Sequence, residues 1–271
     1  MSRLEKRFAE LRKAGRAALL TYITAGDPDK SASVPLMHAL VAAGADALEL
    51  GVPFSDPSAD GPVIQAACER ALAGGTTLRD VLAMVKDFRE RDGDTPVILM
   101  GYLNPVEAMG AEAFATAASV AGVDGVLTVD MPPEEAQPLA GLLRARGLDP
   151  IFLLAPTTSP ARVKRICDVA SGFVYYVSLK GVTGAVSLDL EQVQKRLAGI
   201  RRETRMPVGV GFGVNDAVAA ARLAGIADAV IVGSAIVSRI ARHGGDAHGR
   251  LAAVSGFVGE LRRAMDAARA A

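Results

Sequence analysis

The chain has 271 residues, half of them hydrophobic and 22% charged, with thirty basic residues against thirty acidic ones. That balance excludes disordered, collagen-like and acidic-tail proteins. The absence of net charge, and of any Lys/Arg cluster with interleaved aromatics, removes nucleic acid as an expected partner.

From Met1 to Phe8 the chain is charged and amphipathic, which predicts a helix over Ser2–Arg12 and lacks the apolar run of a secretory signal. Short β-branched or Leu-rich runs then recur: Ala17–Ile23, Ala45–Leu50, Val97–Tyr102, Gly125–Val129, Ile151–Leu154, Phe173–Val177, Val208–Gly211 and Ala229–Val232. Between them lie segments with three-to-four-residue apolar spacing, among them Val34–Ala43, Pro62–Ala73, Pro133–Arg146 and Leu190–Arg202. An extra helix is expected at Leu78–Arg91, beside the second crossover, and a long closing helix over Ala247–Ala268. Strands that alternate with helices pair in parallel. Eight such units in about 250 residues fit a closed (β/α)8 barrel, the TIM-barrel class of α/β fold, better than an open sheet. No GxGxxG fingerprint follows the first strand, which counts against a dinucleotide fold. No linker interrupts the pattern, so residues 1–271 are expected to form one barrel domain with extra helices at the N-terminus and in the second βα unit. The longest apolar stretch, around Ala227 to Val237, falls far short of the roughly 18 residues that cross a bilayer. A soluble, cytoplasmic protein is expected.

Reactive residues of such barrels sit where strands end and loops begin. The second strand and its loop are the richest stretch, from Ala47-Leu48-Glu49-Leu50-Gly51 through Pro53, Asp56 and Asp60 to Pro62. Strand side chains alternate, so Leu48 and Leu50 share the face toward the helices and Glu49 points into the barrel with Ala47. An inward carboxylate loses solvation, which raises its pKa and suits it to acid/base work near neutral pH. The bland alternative is a Glu held by an Arg or by backbone amides. Asp56 and Asp60 share a loop stiffened by Pro53, Pro57 and Pro62. A turn role and a functional role are equally open for Asp60, whereas Asp56 leans toward the turn. No histidine joins them, the three being His38, His243 and His248 away from strand ends, so no metal site is expected.

Glycines cluster after the last two strands, as Gly209-Val210-Gly211-Phe212-Gly213 and as Gly233-Ser234-Ala235 opening a helix. Glycine lets backbone N–H groups approach an anion, and a helix N-terminus adds partial positive charge. Loops seven and eight are the usual phosphate seat of this fold. A further glycine loop, Lys180-Gly181-Val182-Thr183-Gly184-Ala185, is either a lid over a ligand or a plain turn. Taken together, these features point to a phosphorylated small molecule gripped at one end and a carboxylate acting on the other.

The stretch from Leu48 to Pro57 with Ala59-Asp60-Gly61-Pro62 closely resembles the signature of the tryptophan synthase α-subunit family. The same resemblance extends in order through Thr21–Pro28, Met100–Pro105, Asp130-Met131-Pro132, Gly181–Gly184, Gly211–Gly213 and Gly233–Val237. It implies a lyase that cleaves indole-3-glycerol phosphate to indole and glyceraldehyde 3-phosphate in tryptophan biosynthesis. It further implies Glu49 as general acid/base and Asp60 as second catalytic carboxylate. Gly184, Gly211, Gly213, Gly233 and Ser234 would surround the substrate phosphate. Tyr22, Ile64, Tyr102, Leu127, Tyr175 and Thr183 would form the indole pocket and active site. The implied partner is a β subunit carrying pyridoxal phosphate, in an α2β2 heterotetramer, docked around Pro53, Asp56 and Asn104, with no cofactor in this chain. Two positions depart from the family pattern: Ser58 replaces a bulkier apolar residue, and Tyr22 stands where Phe is also common. Two rival readings are a Schiff-base aldolase using Lys180 and a non-catalytic phosphate-binding barrel.

Overall fold

Strand and helix alternate from end to end of the structure, a computed structural model that describes residues 1–177, 190–211 and 213–270. The elements in order are α1 (Arg3–Lys13), β1 (Ala18–Thr24), α2 (Lys30–Ala42), β2 (Ala47–Gly51), α3 (Pro62–Ala73), α4 (Leu78–Arg89), β3 (Val97–Gly101), α5 (Leu103–Met109), α6 (Ala111–Ala121) and β4 (Gly125–Thr128). They continue as α7 (Gln137–Arg144), β5 (Asp149–Leu154), α8 (Pro160–Val169), β6 (Val174–Val177), α9 (Leu190–Glu203), β7 (Val208–Gly211), α10 (Ala217–Ala224), β8 (Ala229–Val232), α11 (Ser234–Arg242) and α12 (Ala247–Ala270). The strands pair in chain order, all parallel, and β8 closes onto β1. This is the (β/α)8 barrel expected, with the extra helix at the N-terminus and two helices, α3 and α4, in the second unit.

Period-two alternation sorts the strand side chains into two cores. Leu48 and Leu50 pack outward with Leu36, Leu40 and Val85 of the surrounding helices. Ala47, Ile98, Leu127, Ile151, Phe173 and Ile231 fill the barrel itself. Helix α1 belongs to this inner core. Ser2 caps it by accepting a hydrogen bond from the Glu5 N–H, and Leu4, Phe8 and Leu11 insert against the barrel residues. The Phe8 ring lies 5.8 Å from that of Phe173, and a Cβ on Gly125 would press on Leu4. Burial of three such side chains contributes about 1.5–3 kcal/mol each. α1 plugs the N-terminal end of the barrel.

Buried ion pairs tie the helical ring to the strands. Asp46 accepts from the Leu19 N–H at 2.8 Å and from Arg262 of α12 at 3.0 Å, which joins the last helix to β1 and β2. Asp124 does the same for α4, accepting from Arg89 at 2.7 Å and from the Val97 N–H at 2.8 Å. Thr77 and Asp80 form a reciprocal capping box that starts α4.

Boundaries differ from expectation where local chemistry intervenes. The third strand stops at Gly101 because Tyr102 turns to become the N-cap of α5. The helix expected from Pro133 begins only at Gln137, after a turn closed by the Glu135 N–H on the Pro132 carbonyl. β5 starts two residues early, at Asp149, and takes in Pro150, whose carbonyl accepts from the Ser171 N–H while its missing donor is not needed in the ladder. Among the described residues no helix is long and apolar enough to cross a membrane.

Candidate active site

A cavity of about 390 Å³ opens at the C-terminal ends of the strands. Glu49 of β2 forms part of its wall and is 0% exposed. Neither carboxylate oxygen has a hydrogen-bond partner among the described residues. Among the described residues, then, no Arg and no backbone amide neutralises Glu49. Burial pushes the Glu49 pKa from 4.5 to about 8. At neutral pH the group is mostly protonated, yet close enough to its pKa to give and retake a proton.

The proline-bearing loop separates the two aspartates. Asp56 is exposed and hydrogen-bonds the neighbouring Ser55 hydroxyl at 2.6 Å. Asp60 turns inward to line the cavity and accepts from the Tyr102 hydroxyl at 2.9 Å. Its carboxyl is raised by burial, with the Tyr102 hydrogen bond acting in the opposite direction. The Asp60 carbonyl accepts from the Gln65 side chain at 2.9 Å, which anchors the loop to α3. Ser58 is exposed, so its departure from the family pattern leaves no gap in the packing.

Tyr22 and Tyr175 line the cavity from β1 and β6. Burial first, then nearby acidic groups, hold both phenols well above their ordinary pKa, so each stays a neutral hydroxyl. Glycine is required opposite each ring. A Cβ on Gly51 would overlap the Tyr22 hydroxyl, and one on Gly211 would overlap that of Tyr175. Ile64 of α3 completes the apolar wall with Met100, Leu153 and Ile231.

The expected phosphate seat lies in the same cavity. Gly211, Gly213, Gly233 and Ser234 all line it. Gly213 has φ +68°, a backbone conformation that L side chains rarely adopt. Gly233 is the N-cap of α11 and offers no side chain to the first turn; its carbonyl accepts from the Ile236 and Val237 N–H groups, and those of Ser234 and Ala235 lie ahead of them, placed to meet an anion. No Lys, Arg or His is among the described lining residues. Among the described residues, the groups here that suit an anion are backbone dipoles.

Other predicted positions fall elsewhere. Leu127 is fully buried in the inner barrel core and does not line the cavity, where Val129, just past the end of β4, stands instead. Tyr102 is also absent from the wall and reaches the site through Asp60, with its ring stacked on Phe54 at 5.1 Å. Asp56 and Asn104 are exposed, whereas Pro53 is buried and presents no free surface to a partner. Thr183, Gly184 and Lys180 lie outside the described residues. The alternation that selected Glu49 would also have selected Met100, Leu153 and Ile231. Asn215, a loop residue at the rim, carries no such signal. Among the described residues no group of three or more His, Cys, Asp and Glu gathers into a metal site.

The chain is similar along nearly its whole length to known proteins. A family model described as Tryptophan synthase alpha chain matches residues 8–266. Tryptophan synthase alpha chains of Thioalkalivibrio sulfidiphilus and Alkalilimnicola ehrlichii are 64% and 62% identical over 266 residues, 98% of this chain and 100% and 97% of theirs. The crystal structure of tryptophan synthase subunit alpha from Legionella pneumophila superposes with a TM-score of 0.91 at 43% identity, covering 98% of this chain and 99% of that one. A chain of the aminoacrylate-bound tryptophan synthase from M. tuberculosis gives 0.87 at 37% identity, covering 98% and 100%. The chain belongs to the tryptophan synthase alpha chain family and is a lyase that cleaves indole-3-glycerol phosphate in tryptophan biosynthesis.

Proposed function

We propose that Glu49 and Asp60 are the two carboxylates that carry this cleavage. The bond to be broken joins indole C3 to the hydroxyl-bearing carbon of the glycerol chain. Indole is a poor leaving group as a carbanion, so C3 is protonated first and N1 takes up positive charge. Protonated Glu49 supplies that proton. The resulting carboxylate then accepts the proton of the glycerol hydroxyl, the C–C electrons return to the ring, and indole and an aldehyde separate. Glu49 ends the cycle as it began, protonated. Asp60 accepts the N1–H and stabilises the transient cation.

One observation carries the assignment: Glu49 is a fully buried carboxyl with both oxygens unpartnered among the described residues, in the wall of a cavity whose far side is glycine backbone and a helix N-terminus. An unpaired buried carboxylate is costly, and acid/base chemistry is a use that needs the group in that condition. Gly211, Gly213, Gly233 and Ser234 would hold the phosphate, with Gly184 and Thr183 of the sixth loop joining them by family resemblance. Tyr22, Ile64 and Tyr175 would bound the indole. Phosphate binding remote from the scissile bond positions it and so assists kcat as well as KM.

The chain would work in the cytoplasm with a β subunit in an α2β2 assembly, where pyridoxal phosphate belongs to the partner. Exposed Asp56 and Asn104, on the loop and helix beside the cavity, suit them to the docking face. Glu49→Gln tests the central assignment. The variant should lose turnover of indole-3-glycerol phosphate by roughly a hundredfold or more while still binding a non-cleavable phosphorylated analogue. Indole release at the wild-type rate by a clean preparation would remove Glu49 from its role.

A further inference from the structure

We propose that Tyr102 is a positioning residue: its hydroxyl fixes the orientation in which the Asp60 carboxylate meets the substrate. The inference rests on the reading of Asp60 as the acceptor of the ring N–H.

Three elements converge on this tyrosine. Its ring stacks on Phe54, 5.1 Å between centroids and 28° between planes, which sets it against the start of the loop that carries Asp60. Its backbone is the N-cap of α5 and has no side-chain cap of its own. Asp130, from the loop after β4, supplies the missing acceptor to the Leu103 N–H at 2.8 Å. Ring and main chain are thus held from two sides before the hydroxyl is considered.

The hydroxyl makes two bonds whose direction is forced. The Ala59 N–H can only donate, and reaches the hydroxyl oxygen at 2.9 Å. The single hydroxyl proton then goes to Asp60 Oδ2, at 2.9 Å. Burial holds the phenol well above its ordinary pKa, so this proton stays on tyrosine. Tyr102 engages Oδ2 alone, and on this reading Oδ1 is the atom that accepts from substrate. A carboxylate with one oxygen tethered cannot spin about its bond and presents the other in a fixed direction, the pre-organisation that electrostatic stabilisation requires. The same proton stabilises the ionised form of Asp60 against the burial that disfavours it. Other titratable groups facing Asp60 are Glu49 of β2, Tyr22 of β1, Tyr175 of β6 and Cys68 of α3, none of which is a cation. Tyr102 is therefore the described group that favours the charged carboxylate.

Tyr102→Phe keeps the ring on Phe54 and removes the hydroxyl alone. It should be measured beside Asp60→Asn, with indole-3-glycerol phosphate as substrate, for kcat, KM, the pH profile and the thermal transition. The expected kcat falls roughly ten- to hundredfold, the range of a hydrogen bond to a charged group, with KM little changed and the protein folded. The acid limb of the profile moves to higher pH, because Asp60 without its donor is protonated more readily. If Asp60→Asn is inactive while Tyr102→Phe keeps its kcat and acid limb, the positioning role is overturned. A loss of kcat with an unmoved acid limb marks a merely structural tyrosine and also overturns it. Full activity in Asp60→Asn would instead remove the role of Asp60 itself.

Discussion

Replacing Glu49 by glutamine should alter the stability of the protein in a way that depends on pH, apart from any effect on catalysis. The carboxyl has its ordinary value of 4.5 in the unfolded chain and about 8 in the folded one. Between those values the folded state holds a proton that the unfolded state has released, so stability falls as pH rises through the window. The values lie about 3.5 pH units apart, and each unit is worth about 1.36 kcal/mol. Ionisation of Glu49 therefore withdraws about 1 kcal/mol by pH 5, about 3 kcal/mol by pH 7 and close to ~5 kcal/mol above pH 9. Glutamine has the same shape and does not ionise. Its buried amide carries a cost of about 1–3 kcal/mol for orphaned polar atoms, but that offset is constant with pH. The readable quantity is the difference between the variant and the wild type in urea unfolding at a series of pH values. It should rise in favour of Glu49→Gln by about 3–4 kcal/mol from pH 5 to pH 8, then level off. Parallel stability curves across that range would refute the reasoning, since they would mean that Glu49 is solvated or paired in the folded chain.

Gly213→Ala places a side chain where φ is +68°, with nothing within 4 Å for the new Cβ to strike; the cost is conformational, about 1–2 kcal/mol, and should appear as a weaker grip on inorganic phosphate and glycerol phosphates in direct titration. Arg262→Ala leaves Asp46 buried without its ion partner, and should cost about 3–5 kcal/mol in chemical unfolding. Phe8→Ala removes an aromatic ring from the barrel floor, with an expected loss of about 3–5 kcal/mol and unchanged kcat and KM below the unfolding transition, because the plug lies at the end of the barrel away from the cavity.

Strand and helix periods are local properties of the residue order, and so the eight-unit barrel could be read from apolar spacing before any contact was known. Glu49 was legible for the same reason. With Leu48 and Leu50 committed to the helices, alternation sends their neighbour inward, and the β2 register opposite Tyr22 and Ile98 bears this out. The glycines after β7 and β8 stood out in the sequence because few other residues tolerate backbone at close approach, and the structure brings Gly211, Gly213 and Gly233 into the cavity wall.

What spacing could not resolve was distance across the barrel. Asp56 and Asp60 are alike in sequence, four residues apart on one loop, yet one faces solvent and the other the cavity. The difference comes from Tyr102 and Gln65, which grip the loop from the start of α5 and from α3 and hold Asp60 inward. Leu127, placed in the pocket by the family resemblance, lies in the inner core and outside the cavity lining, since height inside a closed barrel depends on strand stagger and not on residue type. Pro53 carries the composition of a surface loop and is buried all the same. That Glu49 has no counterion among the described residues is likewise a fact of three dimensions. Any of the chain's thirty basic residues might have reached it, and only the closed inner wall shows that none of the described ones does.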